Sequence, residues 1–236
     1  APSPSPSTFA PNIFYGDSKA KYPGKDDIQP QDSRGTAAIV EAPDGSKEQM
    51  LRMDVTNTGW TEDDNPRVQL LSPAGVITDA HLKAGIWISG GFYVPSNMLQ
   101  LPAGTKEAWV NLFEFMGQPY FESPTVELDL RIINGKLLVG WQRNAEGDWA
   151  NIWRRPFAFD KTNRWLMHLQ PEQVDMWFNG EAVCSTKAKP VGVANAKGPQ
   201  QAINQFYRDF NAWPGLQTIF QSFIAVGTKR ELVERV

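Results

Sequence analysis

The chain has 236 residues, 41% of them hydrophobic and 21% charged, and carries a formal net charge of -3. This fits one sizeable globular domain. Mild acidity with scattered Lys and Arg excludes general nucleic-acid binding, which needs a basic face, and no apolar run reaches the roughly 20 residues that span a bilayer.

The opening "APSPSPSTFAP" alternates Pro and Ser and reads as an unstructured leader over residues 1–15, with one folded domain over 16–236; such a leader points to a secreted protein. Cys184 is the sole cysteine, so no internal disulfide can form, and a lone Cys reads more readily as a small buried hydrophobe than as a nucleophile.

Short apolar stretches between turn signals predict strands at 38–41, 49–55, 67–71, 84–93, 107–116, 126–132, 136–142, 164–169, 174–178 and 218–226. The turns are chemically legible: "PDG" at 43–45 and "NG" at 134–135 and 179–180 supply residues that tolerate positive φ, so hairpins are expected around Asn134 and Asn179. "GPQQAINQFYRDFNAW" reads as a helical turn or a long loop. The fold class expected is all-β, a sandwich or jelly roll.

Alternation shows which groups share a face. Arg67 goes with Gln69; Glu127, Asp129 and Arg131 lie opposite Val126, Leu128 and Leu130; His168 goes with Leu166 and Gln170. For "VELDLR" a solvated convex face is the cheaper reading, although carboxylates alternating on one strand also occur in retaining glycoside hydrolases. "TEDDNP" at 61–66 clusters oxygens that could hold a structural Ca²⁺ but lacks an EF-hand pattern, and no other cofactor is suggested.

Several segments occur in an order that resembles the heparin lyase I-like polysaccharide lyases: "GQPYFESP", "WQRN", "WANIWRRP", "RWLMHLQ", "VDMWFNG" and the C-terminal "QFYRDFNAWPGLQTIFQSFIAVGT". The resemblance covers about residues 45–233. It implies a concanavalin A-like jelly roll of two curved antiparallel sheets, a groove across the concave one, and cleavage of an acidic polysaccharide by β-elimination. The chain departs from the family's pattern at Gln69, where an Arg-x-Glu strand is usual, and at Glu114, whose carboxylate would repel a uronate.

Elimination from a uronate needs a cation or hydrogen-bond donors on the carboxylate, a base for the C5 proton, and an acid for the leaving oxygen. Arginine's planar fork suits the carboxylate. The catalytic candidates are Tyr207, which matches the family's tyrosine position, and His168, in the segment that matches a family histidine; each has a structural alternative, in the core or on a sheet face. His81 reads as a loop residue. Arg67, Gln69, Glu114, Tyr120, Gln142, Arg143, Trp149 and Trp153 are the substrate-binding candidates, the tryptophans being either sugar platforms or core. The partner expected is an acidic polysaccharide or oligosaccharide, bound by a monomer. A non-catalytic carbohydrate-binding jelly roll, or a hydrolase using Glu114, Glu127 or Asp129, stands as the alternative.

Overall fold

Asn134 and Gly135 adopt left-handed backbone with φ of 52° and 74°, and Asn179 and Gly180 do the same with 50° and 82°. Two-residue turns of this hand match the twist of the strands they join, and both expected hairpins form. The computed structural model describes residues 13–15, 35–61, 65–73, 75–116, 125–145, 148–171, 173–186 and 201–234.

The strands among these are, in chain order, β1 (Phe14–Tyr15), β2 (Thr36–Glu41), β3 (Gln49–Val55), β4 (Arg67–Leu71), β5 (Ile86–Tyr93), β6 (Trp109–Met116), β7 (Thr125–Ile133) and β8 (Lys136–Ala145). They continue with β9 (Asp148–Arg155), β10 (Thr162–Gln170), β11 (Gln173–Phe178), β12 (Glu181–Thr186), β13 (Gln201–Arg208), β14 (Gln217–Ser222) and β15 (Ala225–Gly227). One sheet runs β12-β11-β10-β5-β14-β3-β2, with β15 beside β5 and β1 beside β15; the other runs β4-β13-β6-β7-β8-β9. Neighbours distant in sequence, such as β13 between β4 and β6, are the crossings of a jelly roll. The all-β reading is correct.

Strand alternation builds the core. Phe113, Phe115, Val126, Leu128, Leu130, Val139 and Trp141 of the six-stranded sheet meet Met53, Ile88, Phe92, Trp165, Met167 and Ile219 of the other. Across the interface Trp165 lies 4.7 Å from Phe113 and 5.9 Å, edge-on, from Trp141, measured between ring centroids. Each such side chain contributes about 1.5–3 kcal/mol when fully buried. Cys184 is unbridged, so packing holds the sheets together.

Two segments differ from expectation. Most of "QQAINQFYRDFNAW" is neither helix nor loop but β13, because Ala202, Asn204, Phe206 and Arg208 alternate inward between β4 and β6. Asn204 and Arg208, polar at inward positions, conceal its period. His81 lies in α1 (Asp79–Ala84), where Thr78 and His81 cap one another: the His81 N–H donates to Thr78 Oγ1, and the Thr78 N–H donates to His81 Nδ1, each at 3.3 Å.

Candidate active site

On the face of the six-stranded sheet turned away from the core, register aligns side chains in rows across the strands. One row is Arg67, Tyr207, Asn111, Asp129, Gly140 and Arg154. The next pairs Gln69 with Gln205, and Glu114 with Glu127 and Gln142. A register shift between Asn111 and Phe113 brings Asn111 and Glu114, three apart in sequence, onto the same face. Trp109, Asn111, Glu127, Asp129, Arg131, Gln142 and Tyr207 line a cleft of about 200 Å³.

Tyr207 stands at one end of that cleft. Trp109 meets its ring edge-on at 4.9 Å, and the Arg67 guanidinium carbon lies 5.3 Å from it and 5.4 Å from the ring of Trp60. Burial pushes the Tyr207 phenol above its ordinary range, against the pull of Arg67 and an Asn65 hydrogen bond; Glu114 adds to the rise. At rest Tyr207 is therefore a neutral phenol. Beside it in the row, Asn111 is 4% exposed, and its side-chain oxygen has no hydrogen-bond partner among the described residues.

The second row is hydrogen-bonded almost end to end. Gln69 Nε2 donates to Gln205 Oε1, Gln205 Nε2 to Glu114 Oε2 at 3.2 Å, and Gln142 Nε2 to Glu127 Oε2 at 2.6 Å. Burial, then the charge of Glu114, raise the Glu127 carboxyl well above the usual carboxylate range. Asp129 is held by Arg131 Nε at 2.6 Å and by both terminal nitrogens of Arg154, one of them at 3.1 Å. Gly140, between Asp129 and Arg154 in the row, makes room for this: a Cβ there would collide with the Arg154 side chain and the Trp153 carbonyl. The expectation of a solvated convex face for "VELDLR" is thereby corrected, since Glu127 and Asp129 are 4% and 1% exposed in the floor of the cleft. Polar side chains of β6, β8 and β9 surround them.

Arg67, Gln69, Glu114, Gln142 and Tyr207 thus share one sheet face. His168 does not join them. It lies in β10 of the other sheet, stacked on Trp87 with centroids 4.0 Å apart, its Nδ1 3.9 Å from Asp175, and burial lowers its basicity. Trp153 faces inward, paired with Trp141 and packed 5.6 Å from Phe178, so it is core and not platform. Register sets Arg143 opposite Val126, and Trp149 opposite Asn144, with the side chains of Arg143, Asn144 and Trp149 outside the described residues. Tyr120 and residues 62–64 of "TEDDNP" also lie outside them.

Sequence reasoning missed Trp109, Asn111, Arg154 and Gln205. Reading "INQFYR" as a strand would have revealed Gln205, whereas the irregular register of β6 hides Asn111 from any period-two rule.

No family model matches the chain, and no curated protein matches it in sequence. Among solved structures it is similar to an endo-β-1,4-glucuronan lyase from the fungus Trichoderma reesei, with a TM-score of 0.62, 15% identity and coverage of 92% of this chain and 95% of that one. It is also similar to the alginate lyase Aly36B in complex with an alginate tetrasaccharide, with a TM-score of 0.56, 10% identity and coverage of 79% and 82%. A family 7 alginate lyase in complex with substrate gives 0.52, 15% identity and 80% of each chain. The architecture is therefore the jelly roll of these polysaccharide lyases. The likeness does not single out the heparin lyase I-like branch.

Proposed function

We propose that the chain is a polysaccharide lyase that cleaves a uronic acid-containing glycan by β-elimination in the cleft before Tyr207. The observation that carries this is the row Arg67, Tyr207, Asn111, on a sheet whose fold is that of glucuronan and alginate lyases. Arg67 supplies the positive charge for a uronate carboxylate, and the Asn111 amide offers further hydrogen bonding. With no histidine lining the cleft among the described residues, Tyr207 carries both proton transfers. Tyr207 first releases its phenolic proton to solvent; the phenolate takes the C5 proton as the C4–C5 double bond forms and the C4–O bond breaks, and the phenol so formed gives that proton to the leaving oxygen. Arg67 favours the phenolate that the first step needs, and the phenol that burial favours suits the second. The heparin lyase I-like motifs are the finer part of this reading.

Incubation with glucuronan, alginate and heparinoids should give unsaturated uronides, read by their ultraviolet absorbance, from at least one of the three. Binding without any rise in absorbance would leave a carbohydrate-binding module instead. The hydrolase reading has one observation behind it, the facing pair Glu114 and Glu127. Both are buried side by side under glutamine hydrogen bonds, whereas a hydrolase needs carboxyls flanking the scissile bond. Saturated reducing ends among the products would mark it.

A further inference from the structure

Arg131 lines the cleft, directly opposite Trp109 in register and two positions along β7 from Asp129. Its Nε donates to Asp129 Oδ2 at 2.6 Å, and among the described residues no partner occupies its two terminal nitrogens. Asp129 is held as well by both terminal nitrogens of Arg154. A carboxylate shared by two guanidinium groups leaves a positive charge over, and the side chain of Arg131 is 36% exposed against 11% for Arg154. The surplus charge therefore faces the cleft at Arg131, in an orientation that the Asp129 hydrogen bond fixes. Glu127 also acts on Arg131 through space, but its carboxyl is buried and accepts from Gln142 at 2.6 Å.

We infer that Arg131 is a specificity-determining residue whose terminal nitrogens grip a second uronate carboxylate, on a ring beyond the one that reacts, so that the cleft selects glycans in which one uronate follows another. The inference rests on the reading of the cleft as a uronate site. Arg67 and Arg131 are placed to serve different carboxylates. Register puts Arg67, Tyr207, Asn111 and Asp129 in one row on four adjacent strands, with Arg131 two residues further along β7. With strands about 4.8 Å apart and a rise of about 3.4 Å per residue, the two arginine Cα atoms are about 16 Å from each other. Each guanidinium is also tethered, Arg67 beside the rings of Trp60 and Tyr207, Arg131 by Asp129. Trp109 stands on the strand between Tyr207 and Arg131, edge-on to the phenol, and gives the intervening sugar an apolar wall. A carboxylate is best held by two parallel N–H donors in one plane, which the terminal nitrogens of Arg131 supply.

Calorimetry on the full chain in a Tyr207→Phe background, which removes turnover, measures the dissociation constants of a glucuronan trisaccharide and an alginate trisaccharide. For the one that binds, Arg131→Gln should raise the constant by about 10- to 100-fold, the worth of hydrogen bonds to a charged group. Arg131→Lys keeps the charge beside Asp129 but not the fork, and should raise it by less. Arg67→Gln should weaken binding too, and the two losses should multiply in the double variant, because each arginine holds its own carboxylate. Affinity unchanged in both Arg131 variants would overturn the inference, and a double variant no weaker than Arg67→Gln alone would overturn the second carboxylate. With Tyr207 in place the loss should fall on KM; a loss confined to kcat would make Arg131 a support for Asp129 and not a substrate contact. If neither trisaccharide binds the parent chain, the glycan reading fails and the inference with it. Binding without turnover would strike the lyase reading alone, and the affinity losses would still decide the role of Arg131.

Discussion

The guanidinium carbon of Arg67 lies 5.3 Å from the ring centroid of Tyr207, at facing positions on β4 and β13. The pairing puts a cation beside the one phenol that lines the cleft among the described residues. Tyr207→Phe should keep oligouronate affinity within about threefold and lower kcat by about 10²- to 10⁴-fold, the usual worth of a positioned acid–base group. Calorimetric binding beside the absorbance assay separates the two. Retained turnover in the phenylalanine variant would remove Tyr207 from the chemistry.

Asn111 presents the opposite balance of stability and function. A buried acceptor without a partner costs folding free energy, so Asn111→Ala should leave Tm unchanged or slightly raised. The same variant should lower kcat/KM by about 2- to 10-fold, the value of one lost hydrogen bond. Asn111→Asp should lose more, because it adds a negative charge between Tyr207 and Asp129. Thermal unfolding and steady-state kinetics on the two variants check this directly.

Arg154 reaches Asp129 over Gly140, and both charged side chains are largely sequestered from solvent. Arg154→Ala leaves the Asp129 carboxylate with Arg131 alone and should cost about 2–3 kcal/mol, below the full value of an unpaired buried charge because that partner remains. For a chain of this length that is a fall in Tm of about 5–10 °C. Gly140→Ala should cost a similar amount by displacing Arg154. If the two act through one contact, the double variant will lose clearly less than the sum.

Much of the architecture is legible in the sequence because strand pairing here follows side-chain period and turn chemistry. "NG" at 134–135 and 179–180 marks two hairpins, and "VELDLR" separates Leu128 and Leu130 from Glu127 and Asp129 correctly. What period two cannot say is which polar faces are solvated. Glu127 and Asp129 alternate as surface residues would, yet neighbouring strands contribute Gln142, Asn111 and Arg154 that close over them. Long-range order is equally hidden. β13 inserts between β4 and β6, so Tyr207 meets Arg67 across 140 residues of chain, a contact no local pattern encodes.

His168 illustrates that limit and gives the last prediction. Its motif position suggests a base, but it stacks on Trp87 in the sheet remote from the cleft, beside the C-terminal end of α1, where its Nε2 would lie 3.2 Å from a Cβ placed on Gly85. Burial depresses its folded-state pKa, and Asp175 offsets this only in part. A depressed histidine stabilises the fold fully above its unfolded pKa of about 6.5 and loses that contribution as pH falls, because the unfolded chain then binds the extra proton. His168→Gln should therefore leave elimination within about twofold at neutral pH, far from the 10²-fold or greater loss expected of a base. It should also flatten the decline of Tm between neutral and mildly acidic pH. If His168→Gln abolishes product formation while Tm and its pH profile stay unchanged, the histidine belongs to the chemistry, and the placement of the cleft before Tyr207 is wrong.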